Sequence, residues 1–140
     1  MRALCCLALA GVFAVSGPAR AEDLLVIGHP GLPFASVSND ELASIYLIKK
    51  LQWPGGLPIV PVNREASSPV RTRFSELVLR QAPNALAAYW NQMHFKGKLP
   101  PLIQESDAAV LAFVQKVPGA IGYIGAGSAP VNVKVLARVP

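Results

Sequence analysis

The stretch best equipped for chemistry runs Asn63-Arg64-Glu65-Ala66-Ser67-Ser68-Pro69-Val70-Arg71-Thr72-Arg73-Phe74. Pro69 suits the first position of a helix, with Ser68 as its N-cap. A helix N-terminus offers unbonded amides and a partial positive charge, which together favour an anion. Ser67 and Ser68 add hydroxyl donors, and Arg64 and Arg71 add guanidinium groups able to grip an oxyanion with two parallel bonds. With Asn63 at the head of the stretch, the candidate ligand-binding set is Asn63, Arg64, Ser67, Ser68 and Arg71. A plainer reading competes: Ser68 caps the helix, the arginines are solvated, and nothing is bound. On spacing alone the plainer reading stands ahead.

Other chemistries have less support. The sequence has no Gly-x-Ser-x-Gly elbow and no His-Glu-x-x-His pair, and its two cysteines, Cys5 and Cys6, sit at the extreme N-terminus. No nucleophile–base pair can be named, so a non-enzyme without a cofactor is expected. His29 and His94 are far apart in the chain and lack the companions a metal site needs. Trp53, Tyr89, Trp90 and Tyr123 fall on apolar faces or strands and read as packing residues. Lys96 and Lys98 read as a solvated loop.

The elements that must hold the candidate set can be traced in order. Leu24-Leu25-Val26-Ile27 is a continuous apolar run, the pattern of a buried strand. Ser38-Asn39-Asp40-Glu41 is a capping box opening a helix with Leu42, Ile45 and Tyr46 on one face. Pro58 to Val62 predicts a second strand leading into the Asn63–Ser68 loop. The Pro69 helix follows with Val70, Phe74, Leu77 and Val78 inward. Pro83 starts another helix with Leu86, Tyr89, Trp90 and Met93 inward. A basic Pro/Gly-marked loop, a short strand at Leu102-Ile103 and a helix capped by Ser106 come next, the helix carrying Val110, Leu111 and Val114. Ala120 to Ile124 reads as an apolar strand, and the alternation of Val131, Val133 and Val135 predicts a half-buried last strand. Strands alternating with helices imply one three-layer-like α/β domain, a mixed, mostly parallel sheet flanked by helices. The expected core comprises Val26, Ile45, Ile59, Val60, Phe74, Leu77, Trp90, Val110, Leu111, Val114, Ile121 and Val133.

The N-terminus sets the expected compartment. Met1-Arg2, an apolar run from Ala3 to Val15, the breakers Ser16-Gly17-Pro18 and then Ala19-Arg20-Ala21 form a cleavable secretory signal over 1–21. The apolar run is too short for a membrane span. The mature domain then covers 22–140, enough for one hydrophobic core and too little for two. It is expected in the periplasm and, without cysteine, has only its core to hold it together. Loss of Arg2 and Arg20 lowers the net charge from +5 to +3. That mild excess suits a small inorganic anion and gives no footprint for nucleic acid.

Five pieces in order extend this reading. They are Ser38-x-Asp40-Glu41-Leu42 before Ile45-Tyr46-Leu47; Trp53-x-x-Gly56 before Ile59-Val60-Pro61-Val62; Arg64 before Ser68 and Phe74; Ala88-Tyr89-Trp90 before Phe95-x-Gly97-Lys98; and Pro118-Gly119-Ala120-Ile121-Gly122-Tyr123. From Ser38 through Tyr123 the chain resembles the phosphate-type periplasmic solute-binding proteins, specifically their short members. The resemblance implies the fold of one lobe of a type II periplasmic binding protein and an anion site at Arg64 and Ser68. Full-length members clamp phosphate between two lobes with a motif Arg-x-Asp-Gly-Ser-Gly-Thr. Here Ala66, Ser67, Pro69 and Val70 stand where that motif has Asp, Gly, Gly and Thr. Pro69 removes an amide donor, Val70 removes a hydroxyl, and Ala66 removes the acceptor for a protonated phosphate. Two roles follow: a weak anion-binding protein or accessory of an envelope phosphate transport or sensing system, and an interaction protein that keeps the fold but contacts a membrane protein or a second copy of itself.

Overall fold

The computed structural model describes residues 22–140. The signal sequence expected over 1–21 lies outside the described residues. Five strands and four helices follow in the order β1 (Leu24–Gly28), α1 (Asn39–Tyr46), β2 (Val60–Arg64), α2 (Pro69–Phe74), α3 (Pro83–Phe95), β3 (Leu102–Gln104), α4 (Asp107–Lys116), β4 (Ala120–Gly125) and β5 (Lys134–Val139). α2 widens into a π-helical turn over Ser75–Leu79. The sheet order is β3-β2-β4-β1-β5. β2 lies parallel to β3 and β4, while β1 lies antiparallel to β4 and β5. Four strands therefore run one way and β1 alone runs against them, the mixed sheet expected from the sequence.

Side-chain alternation builds a core on each face of this sheet. Leu24, Val26, Ile121 and Tyr123 join α1 and the α2 segment in one cluster; Leu25, Ile27, Ala120 and Ile124 join Val110 and Val114 of α4 in the other. Gly122 allows that second contact, since a Cβ there would stand 2.6 Å from a Val110 methyl carbon. The turn into β4 needs Gly119, whose φ is +81° and whose missing side chain leaves room for the Pro58 carbonyl. Trp53 closes the same corner by donating from Nε1 to the Gly119 carbonyl at 2.9 Å.

The three serine caps form as expected: Ser38, Ser68 and Ser106 hydroxyls accept from the amides of Glu41, Arg71 and Ala109. The capping box at α1 is only half realised, because the Glu41 carboxylate pairs with Lys50 instead.

Several boundaries and burials differ from the sequence reading. β2 starts at Val60, because Gln52 bridges Pro58 and the Ile59 amide donates to Leu51, which keeps Pro58-Ile59 in the preceding loop. β5 starts at Lys134, so Val131 and Val135 are exposed and Leu136 and Val139 are buried instead. Its register against β1 shifts between Val26 and Ile27. Val60, Leu77, Trp90, Leu111 and Val133 are half-buried at the margins of the core. Of the inward face expected on α3 only Met93 is buried; that helix lies at the periphery, with its Tyr89 hydroxyl donating to the Leu47 carbonyl. Among the described residues no helix is long and apolar enough to cross a membrane.

Candidate functional site

β2 delivers Asn63 and Arg64 to the sheet end where the four co-directional strands finish, and Ser68 then turns the chain into α2. Four of the five candidate residues meet there. The Arg71 guanidinium donates to the Arg64 carbonyl at 2.8 Å. The Asn63 side-chain oxygen accepts from the Arg64 amide at 3.0 Å and from the Tyr123 hydroxyl. Ser68 is buried and caps α2. Ser67 stands apart, exposed on the wall of a separate cleft.

The guanidinium of Arg64 is engaged from two sides. Glu65 takes its Nε at 3.0 Å and a terminal nitrogen at 3.1 Å, a bidentate fork. Asp107, the first residue of α4, takes the other terminal nitrogen. The second Asp107 oxygen accepts from the Gly125 amide at 3.1 Å and from the Ser128 hydroxyl at 2.8 Å. Asp107 thus ties β2, α4 and the chain after β4 into one knot. The Arg64 side chain is 10% exposed and that of Asp107 23%.

Electrostatics follow this geometry. Burial opposes the charge on Arg64, but the Glu65 hydrogen bond and the fields of Asp107 and Glu65 outweigh it, and its pKa is raised. The Arg64 hydrogen bond in turn holds the Glu65 carboxyl below its ordinary value. Burial pushes the Tyr123 hydroxyl far above the ordinary tyrosine range. Arg64 and Arg71 against Glu65 and Asp107 leave the cluster formally neutral.

Neither neighbouring cavity contains Arg64 or Ser68. A cleft of about 570 Å³ lies along α2, lined by Leu24, Ser67, Pro69 and Val70 with Arg73, Glu22 and Glu76. A smaller one of about 290 Å³ lies between Arg71, Thr72 and Trp90. The Arg73 Nε is buried without a hydrogen-bond partner. Among the described residues no group of three or more His, Cys, Asp or Glu is placed to hold a metal ion.

Asp107, Tyr123 and Ser128 are absent from the sequence-derived set. Asp107 carried one usable signal, its place directly after the Ser106 cap at the end of a strand; what hid it is that the parallel β2–β3 pairing, which sets Gln104 opposite Arg64, is what brings it there. Glu65 was in the stretch from the start, beside Arg64.

Among solved structures the chain matches a protein assigned as a phosphate ABC transporter substrate-binding protein, with bound phosphate, from Clostridium perfringens (24% identity, TM-score 0.68). It also matches an ABC-type phosphate transport receptor from Vibrio cholerae (21%, 0.66) and PstS from Borrelia burgdorferi (19%, 0.65). This chain has the fold of a phosphate-type periplasmic binding protein lobe. The alignments cover 82%, 82% and 83% of this chain but only 44%, 45% and 47% of those proteins, so it spans less than half their length. No protein-family model matches the sequence, and no curated protein matches it.

Proposed function

We propose that this chain is an exported, solute-binding-like accessory module of the cell envelope. It works by contacting a protein partner, a membrane protein or a second copy of itself, rather than by capturing phosphate. The observation that carries this reading is the closed state of Arg64. Its guanidinium lies between Glu65 and Asp107, and the cluster around it is formally neutral. An anion approaching Arg64 meets two carboxylates first, and Pro69 offers it no amide. Export through the signal over 1–21 places the module in the periplasm.

A second reading, weak anion binding, draws support from the likeness to a structure with bound phosphate. Arg64 and Ser68 would then be the main contacts, with affinity on the order of 0.1–1 mM because the ligand remains open to water.

Isothermal titration with phosphate, sulfate and small carboxylates separates the two. The accessory reading expects no saturable heat. Weak, salt-sensitive phosphate binding that Arg64→Ala abolishes would establish the second reading, and micromolar or tighter phosphate binding would overturn the first.

A further inference from the structure

The fold segregates its charged residues along the strand direction. β2, β3, β4 and β5 start at one end of the sheet and finish at the other. Segments 47–59, 96–101 and 117–119 lead into β2, β3 and β4, and they contain no Asp or Glu. They hold Lys49, Lys50, Lys96 and Lys98; Lys116 ends α4 just before the third of them, and Lys134 begins β5. Every lysine of the chain is therefore at the starting end. Arg64, Arg71, Arg73 and Arg138 lie at or just beyond strand ends on the opposite side, together with Asp23, Glu65, Glu105 and Asp107. Lys50 reaches Glu41 and Lys134 donates to the Leu32 carbonyl. Among the described residues Lys49, Lys96, Lys98 and Lys116 form no ion pair.

The exposed apolar side chains gather at the same end. Phe95 is 90% exposed and Leu99 75%, bracketing Lys96 and Lys98 in the loop between α3 and β3. Leu51 and Leu57 in the loop into β2, Val131 ahead of β5 and the first residues of β3 are exposed as well. Cations there also complement the C-termini of α1, α3 and α4. That accounts for lysines at helix ends and leaves a nearly naked phenylalanine next to them unexplained.

We infer that the strand-start end of the sheet, led by Phe95, Lys96, Lys98 and Leu99, docks on an anionic lipid bilayer. Lysines spread over loops without carboxylates, with Glu41 already paired to Lys50, respond to the diffuse field of anionic headgroups, and exposed aromatic and aliphatic side chains among them insert at the headgroup boundary. Lysine rather than arginine fits this occupant, since forked recognition of one defined phosphate favours arginine. The inference goes beyond the proposed function and is independent of it, because Arg64 lies at the opposite end of the sheet.

The test is co-sedimentation of the purified full chain with vesicles of phosphatidylcholine alone and of phosphatidylcholine mixed equally with phosphatidylglycerol. All variants carry the same residues 1–21, so any contribution from those cancels. Binding to the mixed vesicles, weakened by salt, is expected. Lys96→Glu/Lys98→Glu lowers it about tenfold or more, since each lysine near the surface is worth roughly fivefold. Phe95→Ser/Leu99→Ser lowers it by about tenfold, and Arg138→Gln, a charge lost at the far end, leaves it unchanged. Equal binding to both vesicle types, no binding to either, or binding indifferent to both double substitutions overturns the proposal. So does a dimer that Phe95→Ser/Leu99→Ser converts to monomer without any vesicle binding, which makes the face a self-interface. Anion titration reports separately on Arg64, so the two proposals fail independently.

Discussion

Replacing Phe74 by alanine tests the core and the site together. Phe74 is 1% exposed at the junction of α2 and its π-helical turn. Its ring lies parallel to Tyr123 with centroids 4.0 Å apart and meets the edge of Tyr46 at 4.7 Å. Truncating a buried phenylalanine costs about 3–5 kcal/mol, part of it the cavity left behind. Each aromatic pair contributes about 0.5–1.5 kcal/mol beyond burial, which places this site in the upper half of that range. A domain of this size is stable by roughly 5–15 kcal/mol, so about 4 kcal/mol is a large fraction of the total. With a urea slope of about 2 kcal/mol per molar, the unfolding midpoint falls by about 2 M. The buried Trp53 supplies a fluorescence signal. Phe74→Leu, which refills most of the volume, loses less than half as much. A midpoint shift for Phe74→Ala below about 0.5 M at unchanged slope would refute the placement of α2.

Asp107→Ala strips acceptors from Arg64, the Gly125 amide and the Ser128 hydroxyl, but Arg64 keeps its fork with Glu65. The expected loss is therefore about 1–3 kcal/mol, less than for a fully orphaned buried charge; a urea midpoint equal to wild type would remove Asp107 from the knot. Burial raises the hydroxyl pKa of Tyr46 and of Tyr123 above the ordinary 10. A folded-state pKa above the unfolded one contributes stability that is fully present below the unfolded value and is lost progressively as pH rises from there through the folded value. Stability is thus expected to be flat through neutrality and to fall above about pH 10, with tyrosinate absorbance from these two residues rising only as the chain unfolds. Complete tyrosinate formation in a chain that remains folded by circular dichroism would contradict their burial.

Much of the fold was legible because short-range patterns carried it. The serine caps at Ser38, Ser68 and Ser106 marked helix starts, and the continuous apolar runs at Leu24 and Ala120 marked strands covered on both faces. The alternation at Val131, Val133 and Val135 misled, since those residues precede or open β5 and the register shift opposite Val26 and Ile27 sets its buried face. α3 misled differently: an inward face can be drawn on any helix with apolar residues at the right spacing, but burial depends on what the rest of the chain puts against it. At the site, Asn63, Arg64, Ser68 and Arg71 were legible as neighbours in sequence. Asp107 was not, because its meeting with Arg64 follows from the order of strands in the sheet.

The carboxylates around Arg64 set what an incoming anion would have to displace. A guanidinium this enclosed is costly to leave uncompensated, so some negative group must stand beside it. In this chain Glu65 and Asp107 are that group. Asp107 is fixed by three partners and cannot leave without exposing the Gly125 amide and the Ser128 hydroxyl. Glu65 is held through Arg64 alone among side chains and is the one that can swing away. An anion at Arg64 must therefore compete with a tethered carboxylate already in bidentate geometry, whose effective concentration is in the millimolar range or above. Glu65→Gln removes that competitor's charge while keeping its size. If Arg64 retains any capacity for anions, phosphate binding is stronger in Glu65→Gln than in the wild type; if titration finds no binding in either, competition by Glu65 is not what closes the site, and the missing donors at Pro69 and Val70 are.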